Sequence, residues 1–115
     1  MLNWQQLEQL ASTYPGIETG TSYGTPALKA SKKLIVRLHQ KEDAYVVLLE
    51  SVEEQQRLIE QDPMTFYITD HYQGYPAVLV RPMVSNKQMQ ALIERRWAAV
   101  AAKKDLKSWQ AETNT

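Results

Sequence analysis

Lys33-Leu34-Ile35-Val36-Arg37-Leu38-His39, followed after Gln40-Lys41-Glu42-Asp43 by Ala44-Tyr45-Val46-Val47-Leu48-Leu49, is the stretch that decides the fold. The first run alternates, with Leu34, Val36 and Leu38 pointing one way and Ile35, Arg37 and His39 the other. That is the period of a strand. The second run is β-prone, and the short polar connection between them makes a hairpin. A hairpin commits the chain to antiparallel pairing, and the segments on either side read as helices and further strands.

Upstream, Trp4, Leu7, Leu10, Ala11 and Tyr14 recur at helical steps and form one apolar stripe. Asn3 is the expected N-cap, and Pro15-Gly16 stops the helix. Ile17 to Ala30 is rich in Gly, Thr, Ser and Pro and is read as one or two short strands. Downstream, Ser51-Val52-Glu53-Glu54 has the pattern of a capping box and opens a helix to about Gln61, closed by Asp62-Pro63. Met64–Thr69 and Ala77–Pro82 are two more strands. Ser85-Asn86-Lys87-Gln88 repeats the capping signal before Met89, Leu92, Ile93, Trp97 and Val100, the stripe of a helix to about Lys103. The expectation is an α+β fold, a single antiparallel sheet flanked by N-terminal, middle and C-terminal helices, with the second sheet face partly free. Residues 1–107 are read as one domain and 108–115 as a polar tail that frays, with Trp109 as its one candidate for docking.

At 115 residues the chain buries roughly two-thirds of its unfolded surface, enough for one core. It has no cysteine, which excludes disulfides, thiolate metal sites and a cysteine nucleophile. The first residues lack the basic and apolar regions of a secretory signal, and no apolar run reaches the ~20 residues of a membrane span. The expected location is cytoplasmic, with no membrane partner. The balanced charge, 13 basic against 13 acidic residues, is unevenly spread. Residues 40–70 carry two basic and eight acidic side chains, while residues 87–107 carry six basic and two acidic. Such asymmetry permits a basic face, although solvated helix faces account for much of it.

Two segments stand out: Thr21-Ser22-Tyr23-Gly24-Thr25-Pro26-Ala27 and His71-Tyr72-Gln73-Gly74-Tyr75-Pro76. Both join Gly, Pro and Tyr between strands, and they form one surface if the fold brings them together. Catalysis is not expected. His39 reads as a surface residue. His71 has Asp70 beside it in sequence, but neighbouring side chains of an extended segment point apart. Two histidines and no cysteine give no metal spacing, and neither a phosphate loop nor a dinucleotide fingerprint is present, so no cofactor is expected.

Binding is the better expectation. Lys29, Lys33, Arg37 and Arg81 lie on proposed strands and suit phosphate. Tyr23, Tyr72, Tyr75 and His71 sit in the motif loops, where rings can stack on bases for ~1–3 kcal/mol each. A pI near 6.7 is low for a dedicated nucleic-acid binder. The alternative is a protein-interaction or small-ligand module whose pocket lies between the two loops and uses Ser22, Tyr23, His71 and Tyr75.

The blocks Tyr14-Pro15-Gly16-Ile17-Glu18, Ser22-Tyr23-Gly24-Thr25-Pro26-Ala27-Leu28-Lys29, Asp62-Pro63 and His71 to Arg81 resemble the MmcQ/YjbR-like family of small bacterial proteins. Leu28 stands in place of the family's phenylalanine and Ala77 where a tryptophan is often found. The resemblance implies an antiparallel sheet flanked by helices, of the type described as double-wing. It also carries the family's DNA-binding label, brings no catalytic residues, and makes DNA the expected partner, with an unknown protein or small ligand as the alternative. Oligomeric state is left open: an exposed sheet edge can pair two chains.

Overall fold

The computed structural model describes residues 1–39 and 41–113, and the side chains of these residues other than Thr113. Asn3 caps helix α1 (Trp4–Ala11) with a full capping box: Gln6 N–H donates to Asn3 Oδ1 (2.8 Å) and Asn3 N–H to Gln6 Oε1 (3.0 Å). Two tight hairpins follow, β1 (Ile17–Ser22) to β2 (Thr25–Ala30) and β2 to β3 (Lys33–Leu38). Each loop has two residues, Tyr23-Gly24 and Ser31-Lys32, and all four have positive φ. That is the mirror-image turn whose twist matches the strands it joins. The loop after β3 leads into β4 (Tyr45–Leu48), completing the expected hairpin.

Ser51 caps α2 (Val52–Gln61), accepting from Glu54 N–H at 3.1 Å. Half of the expected box is absent: the Glu54 carboxylate pairs with Arg95 through Oε2 (2.9 Å) and accepts from Glu50 N–H through Oε1 (3.5 Å), not from Ser51 N–H. Strands β5 (Phe66–Tyr67) and β6 (Ala77–Val80) are shorter than the sequence suggests, and the link between them includes a 3₁₀ turn at Asp70–Tyr72. The six strands form one antiparallel sheet in the order β1-β2-β3-β4-β6-β5. This α+β architecture matches the expected class.

Helix α3 (Asn86–Val100), capped by Ser85, ends at Ala101, whose ψ of 148° is extended. The expected single helix to Lys103 is thus broken. Where a fraying tail was expected, residues Lys103–Thr113 form helix α4. Trp109 docks, its ring centroid 5.4 Å from Trp97 and 5.9 Å from Tyr14. Gly16 allows the approach: its φ is +83°, and a Cβ there would run into the Asp105 carboxylate.

The main core lies between the sheet and the helices and contains Leu7, Ile35, Val36, Phe66, Met89, Ile93 and Trp97. Burying each such side chain contributes roughly 1.5–3 kcal/mol. Strict alternation fails in β3. Leu28 opposes Val36 while Lys29 opposes Leu34, so Ile35 is an extra residue in the strand. Ile35 and Val36 therefore both enter this core, and Leu34 turns to the opposite face beside Arg37. On that face Ala44, Val46, Leu48, Tyr72, Ala77 and Leu79 form a second cluster. All four residues of β4 are buried, so it is covered on both faces. No described helix is long and apolar enough to cross a membrane.

Candidate functional site

The second face is the one both motifs reach. Register places Gly20, Ala27, Arg37, Val46 and Leu79 in one row across five strands. Arg37 is the only charged residue of that row, flanked on one side by the two smallest residues and on the other by branched aliphatics. The Tyr23-Gly24 turn closes one end, and the segment from Asp70 to Pro76 folds over the sheet from the other. Between them is a cavity of about 460 Å³ lined by Ser22, Tyr23, Leu34, Arg37, Val46, Leu48, His71, Tyr72 and Tyr75. This is within the size range of small-molecule sites.

Arg37 sits at its base, only 8% exposed. Its Nη2 donates to the Tyr72 hydroxyl (2.5 Å), and Nη1 makes a long bond to its neighbour's carbonyl, Leu38 O (3.5 Å). The guanidinium also lies 5.1 Å from the centroid of the Tyr23 ring, within the range of a cation–π contact. Tyr72 is held in turn by His71, edge-on at 4.8 Å, and by Tyr75, tilted at 6.3 Å. Tyr72 is buried, whereas Tyr23 and Tyr75 are 83% and 51% exposed and form the rim.

The second loop is fixed by a residue that gave no functional signal, Gln55 of α2. It is 2% exposed, and its Nε2 donates to Tyr72 O (3.0 Å), Tyr75 O (2.7 Å) and Ala77 O (2.7 Å). Its place between Val52 and Ile59, three and four residues away, was the available sign: a polar residue on the inward stripe of a helix. Leu34, Val46 and Leu48 were also missed as lining residues, since apolar strand residues read only as core.

His39 is half-buried rather than a surface residue. Its Nδ1 accepts from Lys41 N–H (3.1 Å) and Glu42 N–H (3.0 Å), bracing the loop into β4. Burial, and then the positive charge of Arg37, hold its pKa below the ordinary histidine value. His71 is exposed and makes no hydrogen bond to a carboxylate among the described residues. Among the described residues no three His, Asp or Glu side chains cluster as metal ligands.

Of the nine residues singled out for binding, six converge: Ser22, Tyr23, Arg37, His71, Tyr72 and Tyr75. Lys29 shares their face but stands between Glu18 and Leu34 and does not line the cavity. Lys33 opposes Ala30, on the helix-covered face. Arg81 is at the far end of the sheet. Its guanidinium stacks 4.0 Å above the Tyr67 ring and donates to Met64 O (3.0 Å). No protein-family model, curated protein or solved structure matches this chain.

Proposed function

We propose that the protein is a small-ligand-binding module whose site is the cavity between the two motif loops, and that it binds rather than catalyses. One observation carries this reading: five polar and aromatic residues from distant parts of the chain line a single concave site around a buried arginine. The similarity of the two motif blocks to the MmcQ/YjbR-like family is part of the same proposal. The dispersion of Lys33 and Arg81 away from the cavity weighs against a continuous basic strip.

A fragment screen by ligand-observed NMR tests the proposal. Saturable hits are expected, and Leu34→Trp, which fills the cavity from its floor, should abolish them without unfolding the protein. No hits, or hits indifferent to Leu34→Trp, would overturn it.

A second reading, single-stranded nucleic acid, is favoured by the exposed rings of Tyr23 and Tyr75 beside Arg37. Stacking on such rings tolerates any base. Fluorescence anisotropy with labelled DNA at several salt concentrations separates the two. Each phosphate neutralised on a single strand contributes about −0.7 to the log–log salt slope. A slope of several units would favour the strand-binding reading, and no binding at low salt would remove it.

A further inference from the structure

Resting on the ligand-binding reading, we infer that the cavity selects a small aryl or alkyl monocarboxylate, with the carboxylate on Arg37. Arg37 is more than nine-tenths buried, yet no carboxylate lies within ion-pair distance of it among the described residues. The ion pairs of the described residues involve Arg95 and Arg96, and both lie on α3. A buried charge is normally paired, because desolvation is severe and neutral hydrogen bonds compensate only in part. Apart from the face of the Tyr23 ring, Arg37 has only neutral oxygens, one hydroxyl and one distant carbonyl, for a guanidinium with five N–H donors. The cavity that Arg37 lines contains no Asp or Glu.

The rest of the lining defines the rest of the ligand. Leu34, Val46 and Leu48 provide an apolar floor and Tyr23, Tyr72 and Tyr75 flat walls, which suit an apolar or aromatic body. One arginine in a planar fork matches one carboxylate bidentately. A phosphate dianion calls for more cationic donors than the cavity holds. Lys33 is on the opposite face, Lys29 shares the face but does not line the cavity, and His71 is at the exposed rim.

The test is calorimetry on the intact protein with phenylacetate, indole acetate, their neutral amides and phenyl phosphate. Each acid is expected to bind at least about tenfold more tightly than its amide, the scale of a charged hydrogen-bonded pair. Arg37→Gln should erase that preference, and Arg37→Lys should restore only part of it. The comparison of acid with amide in the parent protein needs no variant, so misfolding of Arg37→Gln cannot obscure the result. Equal binding of acid and amide would overturn the inference while leaving the cavity a binding site. Preference for phenyl phosphate would also overturn it. Failure of every aryl compound, alongside an empty fragment screen, would overturn the site itself.

Discussion

Tyr23 has a φ of 54° and is followed by Gly24 at 77°, a turn in which asparagine or glycine ordinarily takes the first place. A left-handed conformation costs an L-residue with a β-carbon roughly 1–2 kcal/mol. Tyr23 is thus a poor choice for the turn and a good one for the cavity rim, where its ring meets Arg37. Tyr23→Asn should raise stability by up to about 1 kcal/mol in urea unfolding while weakening ligand binding. Loss of stability together with affinity would mean that the tyrosine serves the fold instead. His39 makes a second residue-scale prediction. Its folded pKa is depressed, so the unfolded chain binds the proton more readily. The stability it confers is complete above the ordinary value of 6.5 and is lost as pH falls through the lower folded value. Urea midpoints of the parent and His39→Asn, measured at neutral and mildly acidic pH, should converge as the solution is acidified. Parallel midpoints would remove this role.

Helix α2 acts on the site without lining it, because Gln55 gathers the carbonyls of Tyr72, Tyr75 and Ala77. Gln55→Leu keeps the volume but removes the donor those carbonyls share, while Tyr72 O and Tyr75 O keep the backbone N–H groups of Tyr75 and Ala77, and should cost about 1 kcal/mol. It should also lower ligand affinity, because the loop carrying His71, Tyr72 and Tyr75 loses its anchor. A stable variant with unchanged affinity would show that the loop holds its own shape. At the other end of the chain, cutting after Ala102 removes Trp109 from Tyr14 and Trp97, and Leu106 from the main core. A loss of about 1 kcal/mol lowers the midpoint of a domain near this size by roughly 4–8 °C, readable by circular dichroism. An unchanged midpoint would mean that α4 docks without stabilising. These two elements also mark what could be read in advance. The caps at Asn3, Ser51 and Ser85 were legible because a cap is a local device with a local signature. Helix α4 was not, since its sequence is largely polar apart from Leu106 and Trp109, and the Tyr14 that Trp109 meets lies at the other end of the chain. The bulge at Ile35 was equally hidden, because nothing in Leu34-Ile35-Val36 distinguishes one apolar residue from the next.

At the scale of the whole molecule, the sheet separates two environments. Strand order and register decided which of the predicted residues meet: Arg37 and Ser22 turn to the cavity, while Lys33 turns to the helices. The indole rings all fall on one side of this division. All three tryptophans, Trp4, Trp97 and Trp109, pack against the helix-side core, whereas the cavity wall is built from tyrosines. The molecule therefore carries two optical reporters with separate duties. Indole emission follows the packing of the helices, and the part of the phenol absorbance that comes from Tyr23, Tyr72 and Tyr75, three of the six tyrosines, follows occupancy of the cavity. A titration that perturbs the tyrosine band while leaving tryptophan fluorescence still records binding at one face of the sheet with the opposite face undisturbed.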